Sequence, residues 1–410
     1  MNGPLLIFQP EGKRCVQTLG TSLLEAARQV GVDVQSICGG RGACGKCRIL
    51  IRDGDEHLNR ATAAEKRFLS SDEIEKHYRL ACFARTISYG TLTVEVPSES
   101  RIGQQRLVAA GIEGHVELSP AVMKLFISLP KPSLSDIRSD SSRVLDTLRE
   151  KTGRSFSISH DALGGLPDAL RKGEWNITLI IRDESEIVWV EPGKTDGTLH
   201  GFAVDIGTTK LAGYLVDLAK GKIVATSSLM NPQIPRGEDV VSRISYGMKD
   251  PGNLKELQQL VTTGINQLLR MACDEAGIDP VQVYDMTAVG NTAMHHIFLG
   301  INPSYVALSP YPSVAGPPAI ARTRDLRIDV NPGANVFVLP TIAGFVGADA
   351  VAVALSTEIY KSDTLQMAVD IGTNTEIILG DSTRLTACSC ASGPAFEGAH
   401  IKHGMRAVSY

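Results

Sequence analysis

Cysteine is scarce in this chain, at eight residues in 410, which is far from the density of a secreted scaffold stapled by disulfides. The start, MNGPLLIFQP, lacks the basic stretch and long apolar run of an export signal. A cytoplasmic protein with reduced thiols is the expectation. Apolar runs are short as well: the longest, such as ITLIIR and VAVAL, are strand-sized against the roughly 18 to 20 residues of a membrane span. A formal net charge of −4, with Lys and Arg dispersed along the chain, leaves no cationic footprint for nucleic acid or anionic lipid. Partners are therefore expected among proteins and small molecules. At about 150 residues per domain the length implies two or three domains, each able to bury its own core.

Three of the few cysteines nevertheless crowd into CGGRGACGKC, residues 38–47, beside four glycines. Cys38, Cys44 and Cys47 make C-x5-C-x2-C, and Cys82 is a distant fourth. A [2Fe–2S] cluster takes four thiolates and is stabilised by amide N–H groups aimed at its sulfurs, so its loop must wrap closely through backbone angles that glycine tolerates. The plant-type spacing is C-x4-C-x2-C. Here the first gap is one residue longer, which alters the loop's shape and not its ligand count. Zinc is the alternative, but a zinc ribbon presents two C-x-x-C knuckles where this chain has one.

The flanking pattern suits a small mixed α/β unit. LLIFQPEGKRCVQTL reads as two strands joined at Pro10–Lys13. SLLEAARQVG reads as a helix with a capping box at Ser22 and Glu25 and a stop at Gly31. RILIRDG is a strand, a second capping box at Thr62 and Glu65 opens a helical stretch, EIEKHYRLAC leads as a helix end to Cys82, and TLTVEVP alternates like a closing strand. Residues 1 to about 97 resemble [2Fe–2S] ferredoxins.

Residues 98–118 are polar and lack periodicity, as a linker would. Residues 119–199 read as a small α/β middle domain: the strand VMKLFISLP, the helix SSRVLDTLREKTG, and a hairpin turning at Asp183–Ser185. Its His160 and Asp161 have no titratable company and read as surface residues. Cys15 and Cys273 read as core. His295 and His296, adjacent on a helix, point to different faces and make a poor metal pair. Cys388 and Cys390 read as part of a loop of small residues.

An internal repeat follows. GFAVDIGTTKLAGYLVD (201–217) recurs as QMAVDIGTNTEIILGD (366–381), a spacing that suggests two related half-domains. Each copy is a hairpin whose Gly and Thr let backbone N–H groups face a phosphate, with an Asp at the strand end placed to hold Mg²⁺ through water. No G-x-x-x-x-G-K-[ST] loop is present, so ATP binding rests on the repeat. The pair resembles the actin, Hsp70 and sugar-kinase superfamily, whose ribonuclease-H-like lobes clamp ATP. That resemblance implies Asp205, Gly207, Thr208 and Thr209 as one phosphate loop and Asp370, Gly372, Thr373 and Asn374 as the other. Lys210 is either a further phosphate contact or a solvated lysine. Asp349, near the start of a helical pattern in TIAGFVGADAVAVAL, matches the acidic residue that activates the attacking group in that superfamily; an aspartate placed there by the helix dipole is the competing reading.

The full-length expectation is an α/β multidomain protein: a β-grasp ferredoxin, a small α/β middle domain and, over 200–410, a ribonuclease-H-like actin-type ATPase lobe with an incomplete second lobe. As a whole the chain resembles the reductive activators of corrinoid-dependent enzymes, with RGEDVVSRISYG (236–247), AVGNTAMHHIFLGINP (288–303) and ACSCASGPAFEGAHI (387–401) as supporting stretches. The resemblance implies a [2Fe–2S] cluster, ATP with Mg²⁺, an electron donor, a corrinoid-carrying methyltransferase protein as partner, a homodimer, and rescue of Co(II) corrinoid to Co(I). Competing readings are a plain ferredoxin-type carrier for an oxygenase or reductase with a docking domain, and a small-molecule kinase fused to a redox sensor. Only forty residues follow Asp370 where a comparable half would need far more, so truncation and poor ATP hydrolysis are expected.

Overall fold

The computed structural model describes residues 3–32, 34–36, 40, 42, 44–97, 100, 117–372 and 374–390. They fall into two compact units, one formed by the described residues up to 100 with 232–250, the other by 117–231 with 251–390.

In the first unit β1 (Leu5–Gln9), β2 (Lys13–Val16), β3 (Arg48–Asp53), β4 (Tyr78–Leu80) and β5 (Thr91–Glu95) form a sheet in the order β2-β1-β5-β3-β4. β1 and β5 run parallel and the other pairs antiparallel. Period-two alternation buries Leu6 and Phe8 of β1, Ile49 and Ile51 of β3, and Leu92 and Val94 of β5. Against this face packs α1 (Leu23–Gln29), through Leu23, Leu24, Ala26 and Ala27. Each large apolar side chain so buried contributes about 1.5–3 kcal/mol. The first capping box forms as expected: Glu25 N donates to Ser22 Oγ at 3.2 Å and Ser22 N to the Glu25 carboxylate at 3.1 Å.

The second box forms too, with Thr62 N donating to Glu65 at 2.8 Å, but no long helix follows. Glu65 is fully buried, gripped at 2.9 and 3.1 Å by the Arg79 guanidinium and at 3.1 Å by Leu80 N. The chain makes a single 3₁₀ turn at Glu65–Arg67 and then a short helix, α2 (Ser71–Glu75), with its own Ser70/Glu73 box. Cys82 consequently follows strand β4 rather than a helix end.

In the second unit β6 (Val122–Ser128), α3 (Asp140–Thr152), β7 (Ser157–Ile158), α4 (His160–Lys172), β8 (Asn176–Arg182) and β9 (Glu186–Pro192) build a sheet in the order β6-β8-β9-β7 with both helices packed on it. Its hairpin turns at Asp183–Ser185, with Asp183 and Glu184 at positive φ. Asp161, expected on the surface, is mostly covered and ion-paired with Arg324. Next come β10 (His200–Ile206), β11 (Lys210–Asp217) and β12 (Lys222–Met230); the helices α5 (Val240–Gly247), which belongs to the first unit, and α6 (Pro251–Ala276); then β13 (Val283–Gly290), α7 (Thr292–Phe298), β14 (Ala319–Arg322) and β15 (Asn335–Val338). The sheet order is β12-β11-β10-β13-β15-β14, with β10, β13 and β15 parallel. After α8 (Ala348–Thr357), β16 (Gln366–Ile371), β17 (Thr375–Gly380) and β18 (Leu385–Cys390) form a separate antiparallel meander. Cys388 and Cys390 therefore lie exposed on a strand, opposite Ile377 and Thr375, rather than in a loop. A largely buried polar set joins β6, β8 and β9 to β13: Lys124 Nζ is 2.9 Å from Glu191, which also accepts from the Tyr284 hydroxyl, while Arg182 pairs with Asp285 at 2.9 Å.

The Glu65–Arg79 pair should govern the stability of the first unit. Burial alone would raise the Glu65 pKa, but the Arg79 guanidinium and the N–H groups of Thr62 and Leu80 outweigh it and hold the value below normal. Stability from this carboxylate is present above the unfolded-state pKa and is lost as pH falls through the lower folded one. Glu65→Ala, which strands a buried guanidinium, is expected to cost about 3–5 kcal/mol near neutral pH and less in acid, read as a lowered melting transition. An unchanged melting point at neutral pH would show that the pair is dispensable.

Candidate functional site

Two groups of side chains meet the chemical expectations, one in each unit. In the first unit Cys47 immediately precedes β3 and Cys82 comes two residues after β4. Because Arg48 opposes Leu80 and Ala81 N donates to Cys47 O at 2.8 Å, the two buried thiols stand 3.3 Å apart. That is too long for a disulfide at about 2.05 Å and near the roughly 3.7 Å that two thiolates span on one tetrahedral metal. Cys44 is half-buried in the same loop; Cys38 lies outside the described residues. With Cys38 aside, no three metal-ligating side chains converge among the described residues. The glycines behave as the chemistry requires. Gly42 and Gly45 have φ of +72° and +65°, and a Cβ would lie 2.2 Å from the Phe83 ring and 2.7 Å from that of Phe68. A side chain at either position would strain the backbone and run into an aromatic ring. This cradle fits a thiolate-ligated cluster.

In the second unit the hairpin β10–β11 presents the first candidate phosphate loop. A Cβ at Gly207 would lie 2.6 Å from Lys210 O, so the turn closes only on glycine. Two asparagines hold it from outside. Asn231 Nδ2 donates to Gly207 O at 2.7 Å and its N to Thr209 O at 2.9 Å; Asn291 Nδ2 donates to Thr208 Oγ1 at 2.8 Å while its own Oδ1 caps α7 by accepting from Met294 N. A Cβ at Gly347 would lie 2.5 Å from Asn291 Cα, so the start of α8, with Asp349 in its first turn, closes on the same point. In the second hairpin Asp370 stands opposite Glu376. Gly372 and Asn374 follow, and Thr373 lies outside the described residues.

Four carboxylates share this cleft. Asp205 is open to solvent at its surface yet set deep enough that its charged form is disfavoured; burial, then the charges of Asp349 and Asp370, push it to about 7, against a downward pull from Lys210. Burial raises Asp349 to about 6, with Asp370 adding to the rise. Burial also raises Asp370. Glu376, buried and accepting from Ser389 Oγ at 2.9 Å, rises to about 7 through burial and the charges of Asp349 and Asp370. Such crowding of like charge is relieved by a divalent cation. Lys210 is thus electrostatically part of the cleft rather than a remote solvated lysine. His295 and His296 are buried, and His296 is engaged by Thr292 O and Val314 N.

Sequence reasoning missed Asn231, Asn291 and Glu376. Asn291 stands one residue before a short apolar helix, a capping signature; Glu376 lies inside the second repeat, where the first copy has Leu211. Asn231 carries no local signal beyond Asn-Pro.

Family comparisons cover nearly the whole chain. Residues 7–86 match the 2Fe-2S iron-sulfur cluster binding domain, 111–197 the RACo linker region, 200–362 the RACo middle region, and 364–410 the C-terminal domain of RACo, the ASKHA domain. The corrinoid activation enzyme RamQ of Eubacterium limosum is 26% identical over 385 residues, which is 94% of this chain and 60% of that protein. The [Co(II) methylated amine-specific corrinoid protein] reductase of Methanosarcina barkeri is 26% identical over 51% of this chain and 39% of its own. A solved reductive activator for corrinoid, iron-sulfur protein superposes with a TM-score of 0.65 at 33% identity, covering 99% of this chain and 66% of that one. The chain therefore spans less than two thirds of the relatives it matches.

The raised pKa values carry a sign. Carboxylates held neutral in the folded chain favour folding in acid, and that contribution is lost as pH rises toward the folded values of about 6 and 7. The melting temperature of metal-free protein should fall across that window and recover with Mg²⁺, while Glu376→Gln, neutral at every pH, should flatten the slope. Calorimetric scans showing equal slopes for the two proteins would mean that Glu376 is not coupled to the cleft. In its domain order, from the ferredoxin-type segment through linker and middle regions into the ASKHA domain, the chain belongs to the RACo family.

Proposed function

We propose that this chain delivers single electrons from a [2Fe–2S] cluster to a Co(II) corrinoid-carrying protein, in a process driven by Mg-ATP. The observation that carries this reading is the pair of buried thiols 3.3 Å apart, one of them on a glycine-lined loop, in the same polypeptide as two phosphate-type hairpins that bring carboxylates together. Cys38, Cys44, Cys47 and Cys82 would hold the cluster in a β-grasp domain. When bound, it supplies a one-electron couple near −400 mV, the usual plant-type value.

In a ribonuclease-H-like ATPase domain, Gly207, Thr208 and Thr209 would face one end of the nucleotide's phosphates and Gly372, Thr373 and Asn374 the other, with Asp205 and Asp370 orienting a hydrated Mg²⁺. Asp349, raised to about 6, would take a proton from the attacking water as ADP and phosphate form. The electron would move separately: the cluster, once reduced by an external one-electron donor, would supply one electron to Co(II), giving Co(I) and an oxidised cluster. Nucleotide drives reduction only by binding more tightly to one redox state of the assembly than to the other. The names of the relatives support the corrinoid partner, and no described helix is long and apolar enough to cross a membrane.

The test is anaerobic reconstitution with iron and sulfide, charging of the cluster with a low-potential chemical reductant, and then the visible spectrum of a Co(II) corrinoid protein with and without Mg-ATP. Wild type should take up the cluster and reduce the cobalt only with nucleotide, slowly in keeping with the poor hydrolysis expected above; Cys82→Ser should lose the cluster; Asp205→Asn should keep the cluster and fail to reduce the cobalt even when Mg-ATP is added. Reduction indifferent to nucleotide would favour the plain-carrier reading, and bound zinc or colourless protein would remove the redox reading altogether.

A further inference from the structure

Between β12 and α6 the chain passes from one compact unit into the other and back. Residues 117–231 and 251–390 belong to the second unit, whereas 232–250 belong to the first, with the iron–sulfur loop. This strap is shaped from within. Arg243 is wholly buried, and its Nε and one terminal nitrogen donate to Gly237 O at 3.1 and 2.8 Å while the other donates to Gln233 Oε1 at 3.1 Å. A Cβ at position 237 would lie 2.6 Å from Arg243 N, so only glycine closes the turn. Asp239 caps α5, accepting from Ser242 N at 2.7 Å. Glu238, between the closed turn and the cap, is therefore presented in a fixed direction.

Its carboxylate accepts from Ser36 N at 2.9 Å. Ser36 is buried, its hydroxyl accepts from Arg28 at 2.9 Å, and its neighbour Gln35 donates through N to Ser100 O at 2.8 Å. Two residues later comes Cys38. A carboxylate beside the backbone that enters the cluster loop does two things: it anchors that backbone, and it adds negative charge, which opposes the extra electron of a reduced cluster. Net charge and nearby hydrogen bonds are the levers by which a protein sets such a potential.

We propose that Glu238, contributed by the strap rather than by the ferredoxin-type segment, is a positioning residue for the iron–sulfur loop and holds the cluster at a lower potential than the loop alone would. The proposal rests on the iron–sulfur reading above.

The experiment is a redox titration of the reconstituted full chain, followed by the electron paramagnetic resonance signal of the reduced cluster. Glu238→Gln should move the midpoint to more positive potential, lowering the oxidised-to-reduced ratio at the wild-type midpoint about threefold or more. Glu238→Asp, which keeps the charge but withdraws it by one methylene, should shift it in the same direction by less and guards against a folding defect in the first variant. Asp239→Asn removes the adjacent charge, keeps the cap and makes no bond to Ser36, so it should stay near wild type. A Glu238→Gln midpoint equal to that of wild type, or a shift that Asp239→Asn reproduces in full, overturns the proposal. Failure of wild type itself to take up iron and sulfide would instead overturn the iron–sulfur reading.

Discussion

The register of β3 against β4 is the constraint on which the first unit's chemistry depends. Arg48 opposes Leu80, so the residue before one strand and the residue two beyond the other are carried to the same place, and these are Cys47 and Cys82. A slip by one residue would turn every side chain of β4 to the opposite face and part the thiols. What prevents the slip is polar as well as apolar: Glu65 takes hydrogen bonds from both Arg79 and Leu80 N, fixing β4 to a loop that has no other reason to be buried. The ion pair thus acts through register, a role that buried pairs fill better than they add net stability.

A different constraint shapes the second unit. Its first phosphate-type loop is held by two asparagines that come from distant parts of the chain, Asn231 after β12 and Asn291 at the start of α7. Both are tied to the loop through amide hydrogen bonds, so a displacement of Gly207 or Thr208 is felt at once just past the end of β12 and at the start of α7. Asn231 is one peptide bond from the strap 232–250. A single covalent step therefore separates the residue that grips the phosphate-type loop from the segment whose Glu238 accepts from Ser36 N, two residues before Cys38 in sequence.

Much of this was legible in the sequence because the signals were local. The Ser22/Glu25 box, the hairpin turn at Asp183–Ser185 and the repeated DIGT hairpins all rest on residues within a few positions of one another. Where the reading failed, a long-range partner had intervened. Thr62 and Glu65 made the expected bonds, but Arg79, fourteen residues on, drew Glu65 inward and stopped the helix after one turn. Cys388 and Cys390 looked like loop residues for want of bulk, yet pairing with β17 makes them a strand. Glu376 was invisible for a subtler reason: a glutamate on a strand reads as solvent-facing until a second strand places Asp370 opposite it. The membership of 232–250 in the first unit has no sequence signature, since contacts such as that of Glu238 with Ser36 N join residues two hundred positions apart.

On the proposed function, the union of these parts in one chain would follow from redox arithmetic. A plant-type cluster near −400 mV reducing an acceptor that lies ~150 mV lower would leave roughly one acceptor in several hundred reduced, because each 59 mV is a factor of ten for one electron. The protein has two ways to narrow that gap. One is to lower the potential of its own cluster, for which negative charge near the loop, such as the Glu238 carboxylate, has the correct sign. The other is to let nucleotide distinguish between redox states of the partner complex, for which a cleft of mutually repelling carboxylates, relieved by Mg²⁺, supplies a strong and reversible electrostatic difference between empty and filled states. The first works at all times and costs ease of reduction by the upstream donor, whereas the second acts only while nucleotide is bound. On the proposed function, a chain that must accept electrons readily and still pass them to an acceptor of lower potential gains from dividing the work between the two.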